Sequence, residues 1–296
     1  MNDIKNRYVI LLLTALAPIV WGSTYLVTTE MLPKGMPLML AVLRALPAGL
    51  LLLLFIRKLP QGIWWGRVVM LGILNFSLFW WLLFIAAYRL PGGVAATVGA
   101  IQPLIVLFLS RWLLNSQLSF LSILASFSGI IGVAILLLTP NAMLDMTGII
   151  AGFLGAFSMA AGTVLSRRWQ PPVNAITFTS WQLTAGGLVL LPFALYFEPA
   201  LPPLTLINFI GLSYLTIIGG ALTYALWFRG LAILGPSSVA SLGFLSPVSA
   251  VLLGWIVLDQ QLSMWQFIGM LVILASVWVS QQSERKLALN QYKESI

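Results

Sequence analysis

Ten stretches of apolar residues, joined by connections of only a few residues, fill this chain from Tyr8 to about Gln281. A hydrocarbon core of about 30 Å needs about 20 helical residues per crossing. A soluble chain of this length would instead show amphipathic helices or short alternating strands. Only 7% of the residues are charged and 60% are hydrophobic, against about 25% charged in soluble domains, so there are too few charges to wet a surface. The expected fold class is an all-α polytopic membrane protein, with spans at 8–28, 37–57, 68–88, 92–114, 119–139, 146–166, 175–196, 205–228, 237–257 and 264–281. The first run follows Lys5 and Arg7 as a signal peptide would. Its length, and the lack of a small-x-small cleavage site at its end, make it a retained span.

Little chain remains for an extramembrane domain, and no GxxxxGK[ST] motif occurs. With no His and no Cys, the chain offers no His/Cys metal site, no thiol chemistry and no disulfide. No cofactor is expected. The net charge of +8 is a matter of topology rather than of nucleic acid. Lys5, Arg7, Arg57, Lys58, Arg67, Arg111, Arg167, Arg168, Arg229, Arg285, Lys286 and Lys293 fall on one side of the expected membrane, twelve of the fifteen basic residues. Lys34 and Arg89 fall on the other, with Glu30, Asp145, Glu198 and Asp259. The positive-inside rule then puts both termini in the cytoplasm of a bacterial inner membrane protein. An odd span count would scramble this segregation.

The chain also repeats itself. At an offset of 138 residues, Pro33 matches Pro171 and the segment from Arg44 to Leu53 matches that from Gln182 to Leu191. Further on, Pro91-Gly-Gly-Val-Ala95 faces Pro236-Ser-Ser-Val-Ala240, Gln102-Pro103 faces Ser246-Pro247, and Asn115-Ser-Gln-Leu-Ser119 faces Asp259-Gln-Gln-Leu-Ser263. Two units follow: a first five-helix repeat in 1–140, and a second in 141–296 that ends in a short cytoplasmic tail. Five is odd, so the second unit enters the membrane from the opposite side. Inverted repeats around a midplane site are the architecture of alternating access.

With these features on the page, the chain resembles the EamA-type carriers of the drug/metabolite transporter superfamily, in its ten-span branch. The resemblance rests on Trp21-Gly-Ser-Thr24 in the first span, Arg44 in the second, and the Ala-x-x-x-x-Pro runs into the fourth and ninth spans. It covers nearly the whole chain through the doubled order of these motifs. It implies eight helices around a central cavity, with spans 119–139 and 264–281 packed outside. It also implies export of small metabolites, amino acids among them; the YddG-like exporters of aromatic amino acids are one sub-branch.

Candidate cavity residues come from the pattern itself. Arg44 is the one ionisable residue within an expected span, and burying it costs about 2.5–3.5 kcal/mol. Three readings stand: it meets a substrate carboxylate in the cavity, it pins helices through backbone carbonyls, or it snorkels to the outer headgroups. Gln182 holds the matching place in the second half. Trp21 and Tyr25 share a helix face and match Met159 and Thr163; Phe79 matches Tyr224, with Asn75 one turn before Phe79. Gln102 and Ser246 precede the paired Pro103 and Pro247, which are hinge candidates because each removes a backbone donor in mid-span. An aromatic lining with a few hydrogen-bonding groups suits an amphipathic organic solute, although most of the twelve Trp and sixteen Phe belong to lipid-facing or belt positions. Trp64, Trp65, Trp169 and Trp265 are the belt candidates. Small-residue stripes, Gly148, Gly152 and Gly155 in one span and Gly129 and Gly132 in another, mark close helix packing.

The expected function is transport of small organic metabolites, amino acids or related compounds, across the bilayer by a monomer or weak homo-oligomer, with no nucleic-acid partner and no enzymatic activity. A multidrug or metabolite facilitator or exchanger is the alternative, ahead of a channel, a lipid scramblase or a non-transporting subunit. The expected spans hold no Asp, Glu or His, so proton coupling through such a residue has no evident carrier.

Overall fold

The computed structural model describes residues 2–90, 92–138 and 145–294. Ten of its helices are long and apolar enough to cross a membrane: α1 Arg7–Met31, α2 Pro37–Ile56, α3 Trp64–Arg89, α4 Val94–Leu114, α5 Phe120–Leu137, α6 Met146–Trp169, α7 Ala175–Phe197, α8 Leu206–Leu234, α9 Pro236–Val257 and α10 Met264–Leu287. They coincide with the expected spans to within a few residues at most ends. The expected end of the fifth span at 139 and the boundary between the two repeats lie outside the described residues. Ten crossings bring the start of α1 and the end of α10 to one face, called here the terminal face; the opposite one is the far face.

Local chemistry sets where the helices stop. Pro37 occupies the first turn of α2, and Arg57 closes that helix in the left-handed region. Asp145 caps α6 by accepting from the Gly148 N–H at 2.7 Å, and Asn174 caps α7 from Thr177 at 2.9 Å. The last helix runs unbroken from Met264 to Glu294, so the residues past the expected span at 281 continue it. Glu30 and Glu284 fall inside the end turns of α1 and α10, so carboxylates do enter the helices. Helix length follows backbone hydrogen bonding and does not stop where the apolar run does.

Packing pairs the two halves. Helix α2 lies on α7, and α5 on α10; α3 packs on α6 as α1 packs on α8; α4 packs on α6 as α1 packs on α9. Each of these contacts recurs when the first-half and second-half partners are exchanged. Matching helices run antiparallel. Glu198, at the end of α7, accepts from the Leu38 and Met39 N–H groups at the start of α2, both at 2.7 Å. Near the start of α7, Trp181 Nε1 donates to the Lys58 carbonyl just past the end of α2, at 2.6 Å. In the other pair, Ser122 near the start of α5 meets Ser283 and Glu284 near the end of α10, both at 2.9 Å. Close approach at the α5–α10 seam needs glycine: a Cβ on Gly269 would fall 2.7 Å from the Leu136 nitrogen, and one on Gly132 would fall 2.9 Å from Ile273. This pair meets the rest of the molecule chiefly through α4 and α9. The α6 stripe behaves likewise, with Gly148 against Leu90 and Gly152 against Val98.

The Glu198 contact combines a charge with two orphan donors of a helix N-terminus, and it crosses between the halves. Glu198→Ala is expected to cost about 1–2 kcal/mol, read as a thermal midpoint lowered by several degrees in detergent, with a smaller fall in Glu198→Gln. An unchanged midpoint in Glu198→Ala would show that solvent replaces the cap at no cost.

Two irregularities recur in both halves. The ladder of α3 widens into a π turn at Ile73–Ser77, and that of α8 does so at Ile217–Leu222. Likewise, the fourth crossing is interrupted between Gly92–Gly99 and Gln102–Leu114, and α9 between Pro236–Leu242 and Leu245–Val257. Irregular backbone at membrane depth is tolerated where protein or a cavity satisfies it, and π turns gather at functional sites.

Candidate functional site

Two polar centres form around the two π turns. In the first, Arg44 of α2 reaches across to α8, and its Nη2 donates to the Gly219 carbonyl at 2.7 Å. The same carbonyl accepts from Thr223 Oγ1 at 2.8 Å, and that hydroxyl accepts from Trp21 Nε1 of α1 at 2.9 Å. Three helices are thereby tied at one carbonyl of a widened turn. The guanidinium also lies over the Trp80 ring, 5.6 Å from its centroid, within cation–π range. Arg44 Nε is buried without a hydrogen-bond partner. The side chain is turned inward, not toward the headgroups.

An aromatic wall continues from this point. Trp80 stands edge-on to Phe76 at 5.4 Å, Phe76 to Tyr224 at 4.7 Å, and Trp21 packs on Tyr224 at 4.8 Å and on Trp227 at 5.0 Å. Five rings and a guanidinium from α1, α2, α3 and α8 thus pack together, with Phe76, Trp80, Tyr224 and Trp227 buried and Trp21 and Arg44 half-buried at the edge of the group. By contrast, the furrow on α3 bordered by Trp65, Gly66, Val69, Met70, Ile73 and Leu74 has only apolar side chains.

The second centre is the counterpart of the first. Asn75, in the π turn of α3, donates from Nδ2 to Gln182 Oε1 of α7 at 2.7 Å and to Ser166 Oγ of α6 at 3.5 Å. Gln182 stands where Arg44 stands in the repeat, Asn75 stands where Gly220 does, and Leu74 stands where Gly219 does. Ser158 donates to the Leu74 carbonyl at 2.8 Å, and Ser77 to that of Gly186 at 2.8 Å. Gly162 leaves the room: a Cβ there would overlap the Asn75 carboxamide. Asn75 and Gln182 are 0% exposed and Thr163 is 1%, yet Asn75 Oδ1, Gln182 Nε2 and Thr163 Oγ1 have no hydrogen-bond partner.

Exposure breaks the symmetry between the halves. Trp21, Arg44, Phe79 and Leu83 are half-buried, while their counterparts Met159, Gln182, Tyr224 and Phe228 are buried. At the helix interruptions, Val98 and Ala100 are half-buried against buried Leu242 and Phe244, whereas Ala95 and Ala240 are both buried. The second centre is thus more deeply buried than the first, and aromatic and cationic side chains pack together at the terminal face. Phe178 stands there edge-on to Trp64 at 6.3 Å and to Phe228 at 5.4 Å. Arg67 is sandwiched between Trp64 and Trp169, at 5.1 and 5.3 Å, and Arg167 donates to the Ala232 carbonyl. Of the four belt candidates, Trp65 and Trp265 are exposed, whereas Trp64 and Trp169 take part in this packing.

The structure therefore gathers Trp21, Arg44 and Tyr224 in one centre and Asn75 and Gln182 in the other, with Thr163 buried next to Gly162. Phe79 is half-buried, one turn after Phe76 and next to Trp80, both of which are buried. Gln102 and Ser246 sit half-buried at the interruptions of the fourth and ninth crossings, and the Ser246 carbonyl lies so close to Gly22 that a Cβ there would be 2.6 Å away. Pro103 and Pro247 fall in the first turns of the segments that follow the interruptions; they start helices rather than bend continuous ones. The Tyr25 side chain lies outside the described residues. Sequence reasoning missed Phe76, Trp80, Ser166 and Thr223. The one available signal was Gly219-Gly220 in the interior of an expected span, opposite Asn75 in the repeat, since paired glycines there mark a disturbed ladder.

Comparison with known proteins gives this arrangement its context. The model of the EamA-like transporter family matches twice, over residues 8–138 and 146–281. Protein PecM of Dickeya dadantii (strain 3937) is 45% identical over 267 residues, covering 90% of each chain. The uncharacterized inner membrane transporter YedA of Escherichia coli (strain K12) is 29% identical over 88% of this chain and 86% of its own. The uncharacterized transporter YvbV of Bacillus subtilis (strain 168) is 27% identical over 90% and 89%. A solved crystal structure superposes with a TM-score of 0.80 over 93% of this chain and 98% of that one, at 20% identity, which establishes the fold alone. With both halves matched, the chain belongs to the EamA-like transporter family, and it is a multi-pass membrane transporter rather than an enzyme.

Proposed function

We propose that this transporter exports small organic metabolites carrying a carboxylate, amino acids foremost and aromatic ones among them, by alternating access of two inverted five-helix repeats. The observation that carries the reading is the inward-turned, half-buried Arg44 guanidinium packed with the rings of Trp21, Tyr224, Phe76 and Trp80, two turns into α2 from the far face. Cation and rings together match the two ends of such a molecule. The antiparallel pairing of α2 with α7 and of α5 with α10 supports the inversion. Placing the terminal face in the cytoplasm rests on the basic residues gathered there. Pro103 and Pro247 act as hinges in this reading, since each starts a segment after an interruption and cannot rejoin the ladder across it.

Facilitated exchange is favoured over proton antiport. The chain has no His, and the described crossings carry their carboxylates, Glu30 and Glu284, only in end turns.

Counterflow in proteoliposomes across a panel of amino acids, drugs and nucleotide sugars tests the proposal. Saturable exchange of at least one amino acid, unaffected by dissipating a pH gradient, is the expected result. Saturable exchange confined to solutes without a carboxylate would remove Arg44 from the substrate site. A fluorescent protein fused after Ile296 should be bright; an active periplasmic reporter there would invert the topology.

A further inference from the structure

The Asn75–Gln182–Thr163 cluster has no role in the site that opens to the far face, and its energetics are unusual for a structural contact. Each buried polar atom left unpaired costs about 1–3 kcal/mol, and native interiors satisfy nearly all of them. Here three such atoms come from α3, α6 and α7, with Thr163 next in the chain to Gly162, where a Cβ would overlap the Asn75 carboxamide. An apolar trio would pack there at lower cost. Asn75 and Gln182 do bond each other at 2.7 Å, but that single bond leaves the outer lone pair of one amide and the N–H groups of the other unused.

Position gives the cluster a meaning. Arg44 lies two turns into α2 from the far face, and Gln182 two turns into α7 from the terminal face; each meets the π turn of the other half. Arg44 and Trp21 in the far-face centre are half-buried, while Asn75, Gln182 and Thr163 are buried, with Phe178 packed on Phe228 and Trp64 on their terminal side. Resting on the alternating-access reading above, we propose that Asn75, Gln182 and Thr163 form a second polar binding half-site, presented to the terminal face when the opening reverses. It takes uncharged hydrogen-bonding groups of the cargo, such as amides or hydroxyls. The unused atoms include a donor (Gln182 Nε2), an acceptor (Asn75 Oδ1) and a hydroxyl that can do either (Thr163 Oγ1), with no formal charge among them. An ammonium would meet the Gln182 N–H groups, and a carboxylate would meet the Asn75 oxygen. Recognition of negative charge thus belongs to the far-facing state, through Arg44, and the terminal-facing state is indifferent to it.

The chain contains no cysteine, so single cysteines report access without further engineering. Thr163→Cys, which retains Asn75 and Gln182, is reconstituted in liposomes and exposed to a membrane-impermeant thiol reagent from either face, beside Phe228→Cys in the closure. The probe is N-acetyl-tryptophanamide, which is uncharged and carries two amides. The expected result is labelling of both cysteines from the terminal face, with the Thr163→Cys rate slowed at least threefold by the probe. Labelling of Phe228→Cys without Thr163→Cys, or labelling of Thr163→Cys that the probe leaves unchanged, overturns the half-site while alternating access stands. If neither cysteine reacts from the terminal face, alternating access fails and takes the half-site with it. Adding Gln182→Leu separates binding from folding. The half-site predicts lost protection with an equal or higher thermal midpoint; a lowered folded yield with protection retained assigns the cluster to structure and overturns it.

Discussion

Arg44→Ala is expected to raise the half-saturating concentration of a carboxylate-bearing amino acid by about 10- to 100-fold in counterflow from the far face. The estimate is the loss of one charged hydrogen-bonding partner, about 1.5–3 kcal/mol. The substitution also removes the donor to Gly219. That carbonyl keeps Thr223 Oγ1 at 2.8 Å, so the structural loss is held to about 1 kcal/mol and folded yield should change little. Arg44→Lys retains the charge but loses the planar fork that bonds a carbonyl and a carboxylate together, and an intermediate half-saturation is expected. Half-saturation measured with the matching amino-acid amide should shift far less. A collapse in folded protein for Arg44→Ala, with Arg44→Lys normal, would make the residue a pin between α2 and α8; unchanged transport in both variants would leave it no function in the cavity.

The largest effect on folding is expected at Gly49→Leu. The backbones of α2 and α7 approach so closely there that a Cβ would fall 2.5 Å from the Thr184 nitrogen and 2.9 Å from its Cα. A flexible side chain could rotate away, but a helix backbone cannot. Overpacking costs about 1–3 kcal/mol where side chains can yield, and this site lies at or beyond the upper end of that range. Forcing α2 from α7 would also part Ser180 from the Gly49 carbonyl, 3.1 Å apart, and Glu198 from its two donors. Monodisperse protein on size-exclusion chromatography should therefore fall at least tenfold. Gly66→Leu in α3 is the control: nothing lies within 4 Å of a Cβ there, and helix propensity favours the change by about 1 kcal/mol. Equal yields from the two variants would show that the α2–α7 seam is looser than its geometry implies.

The number and placement of the crossings were legible in the chain because hydropathy is a local sum over about twenty residues and needs no partner. The same holds for the side on which the basic residues gather, and for the doubling, visible in Pro103 against Pro247 and Arg44 against Gln182. The repeat also pointed to residues worth watching, since a polar side chain in an apolar run needs a reason wherever the helix goes. Composition could not say how each helix is turned about its axis. That rotation decides that Arg44 finds the Gly219 carbonyl rather than the headgroups, and that Phe76 and Trp80 are buried beside Tyr224 and Arg44. It also places Trp64 and Trp169 on the two sides of Arg67. The π turns at Ile73–Ser77 and Ile217–Leu222 were equally hidden, because one extra residue in a turn leaves the hydrophobic pattern intact while redirecting carbonyls and side chains. The two near-equal halves are further told apart by exposure, with Arg44 half-open and Gln182 sealed, and that difference lies in how the helices lean together. A sequence fixes hydrophobicity and charge residue by residue; rotation, tilt and closure are set by packing between helices distant along the chain, so only the tertiary structure decided them.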